Sequence, residues 1–187
     1  MIRILAVLIA LVGVAPAFAP ALAAPPKLPT GVDPQNAIVI DTTKGRIIIR
    51  LRTDLAPNHA ERIKQLARDG FYDNVPFHRV IEGFMAQTGD GQNHDGTGGS
   101  KYPNLKAEFS NVPFKRGIVG MARRGGDNDS ANSQFFIMYK ETDSLNGQYT
   151  VIGEVVSGMN VVDKLNKGEP VEHPDKMTHV QVAADMK

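Results

Sequence analysis

After residue 36 the chain consists largely of short runs of β-branched and aromatic residues, each bounded by a turn that contains glycine or proline. Runs of about four to eight residues with such ends are typical of strands, and many of them at short intervals favour a barrel or a sandwich. Residues 42–45, Thr-Thr-Lys-Gly, separate the first two runs and predict a hairpin. The eight predicted strands are 37–40, 46–51, 77–81, 84–87, 118–122, 134–139, 149–156 and 180–184.

Two further segments have helical periodicity. Pro57 suits the first turn of a helix, Ala60 and Ile63 follow at helical spacing, and Gly70 is a suitable stop. A second, shorter helix is predicted over residues 159–166. We therefore predict a mainly β fold, an eight-stranded antiparallel closed β-barrel capped by two α-helices. Periodicity alone leaves a sandwich open as the alternative.

The first 23 residues have the pattern of a secretory signal peptide. A short positive start at Arg3 is followed by an apolar run over residues 4–14 and then by small residues and prolines. Cleavage is predicted before Ala24, because a cut after Ala19 would leave a proline beside the scissile bond. A membrane span needs about 20 apolar residues. This stretch reaches that length only through two prolines, so an uncleaved anchor is the less favoured alternative.

The predicted domain organisation follows from the prolines after the cleavage site. Residues 24–36 contain four prolines and are expected to form an extended linker. The compact domain is then expected over residues 37–187.

Composition excludes several classes of function. The chain has 21 Lys and Arg against 20 Asp and Glu, and no cysteine. Removal of Arg3 with the signal peptide leaves 20 of each charge, so a general nucleic-acid binder is not expected. Disulfides and zinc–thiolate sites are excluded.

No two of the five histidines have the spacing of a helical zinc site, and the sequence contains neither a phosphate-binding loop nor a G-x-S-x-G motif. Metal enzymes, nucleotide enzymes and hydrolases therefore have no support.

The most informative stretch is 77–87, where Arg79 and Gln87 stand among large apolar residues. In a strand, Arg79 and Ile81 share one face, and arginine is seldom fully buried without a partner. Two interpretations are open on these grounds. Arg79 is either a rim residue whose stem covers apolar surface, or a guanidinium fixed above an apolar pocket.

Residues 77–87 resemble the signature of the cyclophilin-type peptidyl-prolyl isomerases, and four further motifs match that family in the same order. These are Gly89-Asp90 with Gly96-Thr97-Gly98-Gly99, then 117–122, then 132–137, and Leu145-Asn146-Gly147 with Val151-Ile152-Gly153. The resemblance covers about residues 37–166. Five motifs in order are far more specific than any one of them.

The resemblance implies a fold and a reaction. The family has an eight-stranded barrel capped by two helices, which agrees with the elements predicted above. Its reaction is rotation about an X–Pro bond against a barrier of about 18–20 kcal/mol. No covalent bond is made or broken, so neither a cofactor nor a metal is expected.

The resemblance also implies the site. Arg79 would be the catalytic residue that binds the nitrogen lone pair of the twisted amide, and Gln87 the catalytic residue that holds Arg79 and a substrate carbonyl. The implied substrate-binding residues are Ile81, Phe84, Met85, Ala122, Arg123, Gln134, Phe136, Leu145 and Tyr149.

Two residues depart from the family pattern. Ser144 stands where many members have tryptophan, and Tyr149 stands where those members have histidine. The first change removes an indole from the pocket rim, so weak binding of cyclosporin is predicted. Tyr149 can still donate a hydrogen bond and pack on proline.

We expect an exported, monomeric peptidyl-prolyl isomerase located in the periplasm, with full secretion as the alternative. Its expected partners are proline-containing polypeptides, with no nucleic acid and no membrane after signal cleavage. A proline-peptide binding module or holdase of the same fold with little turnover is the alternative function. A small-molecule-binding barrel is disfavoured, because its interior would have to be hollow and the glycine-rich loops would have no purpose.

Overall fold

The structure, a computed structural model, describes residues 27–186. The predicted signal peptide and the first residues of the predicted linker lie outside this part of the chain. Within residues 27–186, no helix is long and apolar enough to cross a membrane.

The described chain is mainly β with two α-helices. The helices are α1 (Pro57–Arg68) and α2 (Met159–Val162). The strands are β1 (Ala37–Thr42), β2 (Gly45–Leu51), β3 (Val75–Pro76), β4 (Arg79–Ile81), β5 (Met85–Thr88), β6 (Ile118–Met121), β7 (Phe135–Met138), β8 (Val151–Ser157) and β9 (Lys176–Val182). Three short 3₁₀ turns cover Pro34–Asn36, Asp143–Leu145 and Ala183–Asp185.

All nine strands belong to one antiparallel sheet, in the order β3-β9-β1-β2-β8-β6-β7-β5-β4. The predicted hairpin joins β1 to β2, with Thr42 opposite Gly45. The two outermost strands in this order, β3 and β4, are consecutive in the chain and separated only by Phe77 and His78. The sheet must therefore curl until its two edges lie side by side.

The prediction of eight strands in a closed barrel is corrected in two respects. The strand predicted over 77–81 begins only at Arg79 and pairs with β5, and a short strand that was not predicted, Val75–Pro76, precedes it and pairs with β9. This change of partner creates the ninth strand. Within residues 27–186, no ladder joins β3 to β4; instead Val80 forms a bridge with Gly168, in the segment that leads into β9.

The first helix ends as predicted, and the second is shorter than predicted. Gly70 has a φ of 67°, the left-handed conformation that ends α1. Helix α2 was expected to reach residue 166 but ends at Val162. Beyond it the backbone N–H groups of Lys164 and Leu165 bond three residues back rather than four, so the last turn is tightened.

The side chains of strand β7 alternate between two apolar clusters, one on each face of the sheet. Phe135 and Ile137 belong to the main core, which fills the inside of the curled sheet and includes the buried face of α1. Phe136 and Met138 belong to a second cluster with Met85. Successive side chains of a strand point to opposite faces. The outer face of β7 therefore supplies a separate apolar surface, and the candidate site is built on it.

The last residues of the predicted linker form an ordered turn. Pro34–Asn36 is a 3₁₀ turn capped by Asp33, whose carboxylate accepts the Gln35 backbone N–H at 2.9 Å. A regular turn therefore directly precedes β1.

Candidate active site

Arg79 and Gln87 are cross-strand neighbours on the hairpin of β4 and β5. Their Cα atoms are paired in the ladder, as are those of Ile81 and Met85. Gly83, with a φ of 71°, lies in the intervening turn, where a left-handed residue favours glycine. Arg79 Nη1 lies 3.5 Å from Gln87 Oε1. The guanidinium and the amide therefore meet because of strand register.

The amide of Gln87 is oriented by a second glutamine. Gln134 Nε2 donates to the carbonyl oxygens of Gly96 and Gly98, at 2.9 and 2.8 Å. Gln134 Oε1 is consequently turned towards Gln87 and accepts from its Nε2 at 2.9 Å. Since an amide has one oxygen and one NH₂ group, the oxygen of Gln87 is left facing Arg79. A chain of hydrogen bonds thus runs from the glycine-rich loop to the guanidinium.

The close approach of β5 to Gln134 requires a glycine. Gly89 follows β5 with a φ of 91°, and a Cβ on it would lie 2.6 Å from the Ser133 carbonyl oxygen and 2.9 Å from Gln134 Cα. A side chain at this position would push the two segments apart. Gly89 therefore brings Gln87 and Gln134 within hydrogen-bonding distance.

The loop that supplies the two carbonyl groups is organised by Asp90. Its buried carboxylate accepts backbone N–H groups from five residues of that loop: Gln92, Asn93, Asp95, Gly96 and Gly98. Burial opposes ionisation of Asp90, but these N–H groups outweigh burial and lower its pKa to about 2. The carboxylate is therefore ionised at neutral pH and holds the loop in place.

A cavity of about 150 Å³ with an apolar floor and a polar rim opens beside Arg79. Met85 and Phe136 are almost fully buried beneath it. Tyr149 packs edge-on against Phe136, with ring centroids 5.6 Å apart. The cavity is lined by Arg79, Phe84, Met85, Gln87, Ala122, Arg123, Phe136, Leu145 and Tyr149. A small apolar ring can be bound here within reach of the guanidinium.

Nine of the eleven residues predicted for the site line this cavity, and two lie elsewhere. Gln134 lines a neighbouring cavity of about 290 Å³, which shares Gln87, Ala122 and Arg123 with the first. Ile81 packs against the second apolar cluster without lining either cavity.

The backbone of Ala122 and the side chain of Arg123 both form contacts that fix them at the edge of the cavity. Ala122 donates its N–H to the Gln134 carbonyl oxygen at 2.9 Å. Arg123 lies over the Tyr149 ring, 4.6 Å from its centroid, and donates from Nε to the Gln148 carbonyl oxygen at 3.0 Å. Arg123 therefore forms a fixed wall where the two cavities meet.

Sequence reasoning missed one partner of Arg79. Arg79 Nε donates to Glu169 Oε1 at 2.5 Å. Glu169 is 90 residues further along the chain, and no local pattern in the sequence connects the two. Within residues 27–186, no group of three or more histidine or acidic side chains is placed to hold a metal ion.

The fold and the site define a mainly β protein in which a curled antiparallel sheet holds an arginine and a glutamine beside a small cavity, and comparison with known proteins identifies its family. The family model described as cyclophilin type peptidyl-prolyl cis-trans isomerase/CLD matches residues 37–183. The chain belongs to this family of isomerases, which need no cofactor.

Curated relatives and solved structures support the same family assignment. The Brucella suis protein named "Probable peptidyl-prolyl cis-trans isomerase" is 49% identical over 173 residues, covering 84% of this chain and 88% of the relative. The crystal structure of cyclophilin AquaCyp293 from Hirschia baltica matches with a TM-score of 0.77 and 30% identity, covering 83% of this chain and 77% of the other. A Cryptosporidium parvum cyclophilin-type isomerase, solved in the presence of the dipeptide Ala-Pro, matches with a TM-score of 0.72 and 25% identity, over 78% of this chain and 98% of the other.

Proposed function

We propose that this chain accelerates rotation about X–Pro peptide bonds by binding the twisted amide to Arg79 while the proline ring lies on the apolar floor of the adjoining cavity. The observation that carries the proposal is that Arg79 and the side chains of Met85 and Phe136 line one cavity of about 150 Å³. A cationic donor and an apolar floor are thus available to the same small ring.

The proposed mechanism depends on what changes during rotation. The planar amide has no free lone pair on nitrogen, because resonance delocalises it, and breaking that resonance accounts for the barrier of about 18–20 kcal/mol. As the bond twists, the lone pair localises and can accept a hydrogen bond from the Arg79 guanidinium. An interaction that exists only in the transition state raises turnover rather than ground-state binding.

Gln87 is assigned two roles in this mechanism. Its oxygen faces Arg79 Nη1 at 3.5 Å and helps to hold the guanidinium beside the cavity. It also lines the cavity itself, where it would lie next to the carbonyl group of a bound peptide. The expectation that the substrate contains proline is supported by the Cryptosporidium parvum relative, whose structure was determined in the presence of Ala-Pro.

The deciding experiment compares isomerisation of an X–Pro peptide by the wild type and by Arg79→Ala. Loss of a preorganised transition-state donor costs about 10²- to 10³-fold in turnover, and a fall of this order is expected. Arg116→Ala is a matched control, because Arg116 is a half-exposed, ion-paired arginine that does not line the cavity. A wild type that binds proline peptides without accelerating them would instead favour the binding module or holdase.

We further propose that the protein is exported to the periplasm and acts there as a monomer. Export is supported by the signal-peptide pattern of residues 1–23. N-terminal sequencing of exported protein is expected to begin at Ala24; a retained Met1 would contradict it. Fractionation of the native host distinguishes periplasm from full secretion, and sedimentation gives the oligomeric state.

A further inference from the structure

We propose that Glu169 is a positioning residue for Arg79 in the isomerisation reaction. The inference rests on the proposed function, and it concerns how the guanidinium is held rather than what it does. Glu169 follows α2 in the segment that leads into β9, and it reaches Arg79 from outside the β4–β5 hairpin.

The segment that carries Glu169 is fastened to the backbone on either side of Arg79. Val80 and Gly168 exchange two backbone hydrogen bonds, each 2.8 Å long. Val171 donates its N–H to the carbonyl oxygen of His78 at 3.0 Å. The neighbours of Arg79 in the chain are thus bonded to residues just before and just after Glu169. The backbone that carries Glu169 is therefore held opposite Arg79 by the fold.

Glu169 and Gln87 engage different donors of the same guanidinium. Arg79 Nε donates to Glu169 at 2.5 Å, and Nη1 lies 3.5 Å from Gln87. Because the group is planar and its donors form a rigid fork, two contacts at different nitrogens restrict its rotation as well as its position. Nη2 remains for a substrate. Without Glu169, the guanidinium would keep only its weaker contacts through Nη1, with Gln87 Oε1 at 3.5 Å and Met85 Sδ at 4.0 Å.

The exposure of the pair argues for positioning rather than stability. The side chains of Arg79 and Glu169 are 35% and 56% exposed, and ion pairs this exposed contribute little to folding. Arg116 and Asp163 form a comparable pair at 2.8 Å, with 47% and 46% exposure. Neither residue lines the cavity beside Arg79. This second pair provides a matched control.

The test measures kcat and KM for an X–Pro peptide in the wild type, Glu169→Ala, Glu169→Gln and the control Asp163→Asn. A misplacement of 1 Å can cost roughly 10²-fold. Since Gln87 remains in Glu169→Ala, a smaller fall in kcat of about three- to tenfold is expected, with KM unchanged. Glu169→Gln keeps an acceptor at the same place and is expected to recover part of the loss. Asp163→Asn is expected to match the wild type.

The double variant Arg79→Ala/Glu169→Ala separates positioning from other effects. If Glu169 acts through Arg79, the double variant has the residual activity of Arg79→Ala. The proposal would be overturned if adding Glu169→Ala to Arg79→Ala lowered kcat by the same factor as it does in the wild type. A Glu169→Ala enzyme with wild-type kcat would also overturn it.

A second readout separates this inference from the proposed function. The NMR signal of the Arg79 Nε–H group is expected to be shifted and slow to exchange in the wild type, and to lose both properties in Glu169→Ala. If the wild type proved inactive, the proposed function would fail, and this signal would still decide whether Glu169 holds Arg79. An unchanged signal in Glu169→Ala would overturn the inference.

Discussion

Gln87 donates its side-chain amide to Oε1 of Gln134 at 2.9 Å, and this contact decides which atom Gln87 turns towards Arg79. The two carbonyl groups that orient Gln134 belong to Gly96 and Gly98, in a loop held by the carboxylate of Asp90. The guanidinium is thus connected through two side-chain amides to the backbone of this loop.

The first prediction concerns this connection. In Gln134→Ala the amide of Gln87 loses its fixed partner and is free to flip, so that its NH₂ group would face Arg79. We expect kcat/KM for an X–Pro peptide to fall by about tenfold, because a misplaced group in the site can cost up to roughly 10²-fold. Gln65→Ala is the control, since Gln65 is on α1 and donates to Asp69. Wild-type kcat/KM in Gln134→Ala would contradict the prediction.

The second prediction concerns Gly120, which lies beneath the cavity. A Cβ at this position would lie 2.6 Å from a carbon of the Phe114 ring and 2.6 Å from one of the Phe136 ring. Gly120→Ala should displace Phe136, destabilise the fold by about 1–3 kcal/mol and lower kcat/KM. Urea unfolding and peptide isomerisation measure the two effects.

The control for Gly120→Ala is Gly125→Ala. Apart from its neighbours in the chain, a Cβ on Gly125 would have no heavy atom within 4 Å. The free energy of unfolding of Gly125→Ala should therefore differ from that of the wild type by no more than about 0.5 kcal/mol. Equal stability of the two variants would show that the rings accommodate the added methyl group.

The third prediction follows from the lowered pKa of Asp90. With a pKa of about 2 against an ordinary 3.8, the ionised carboxylate contributes its full stability above about pH 4 and loses it as the pH falls towards 2. Between about pH 5 and pH 2, the free energy of unfolding of the wild type should fall by about 2 kcal/mol more than that of Asp90→Asn. Urea titrations at each pH measure both. Parallel pH profiles would mean that the loop does not depend on this charge.

The fourth prediction concerns Ser144, which is exposed in the turn Asp143–Leu145 beside Leu145 of the cavity. The wild type is expected to bind cyclosporin weakly. Ser144→Trp should tighten binding by about tenfold, because an indole adds a large apolar face to the rim. Asp143→Trp, in the same turn, is the control. Low-nanomolar inhibition of the wild type in a titration would contradict the prediction.

The sequence predicted most of the strands because their runs are short, apolar and bounded by turn residues. It did not predict β3, because pairing partners are not encoded in periodicity: Phe77 follows a strand bonded to β9, while Arg79 begins one bonded to β5. The predicted end of α2 at residue 166 was also wrong, because burial of a residue does not show whether the helix continues to it. Leu165 is buried, but a tightened turn places it there without continuing the helix.

The cavity-lining residues could be named from the sequence because each lies within or beside a motif of the family. Glu169 could not, since its relation to Arg79 depends on backbone bonds between Gly168 and Val80, on segments far apart in the chain. The link between Gln134 and the glycine-rich loop was also not predicted, because side-chain amide orientation depends on the three-dimensional arrangement of acceptors.

The position of β9 between β3 and β1 has a consequence for how the chain is made. Ile38, near the start of the sheet, pairs with Val182, near its end. The sheet is therefore incomplete until the final strand has been synthesised, and an emerging chain lacks the partner that covers one edge of β1.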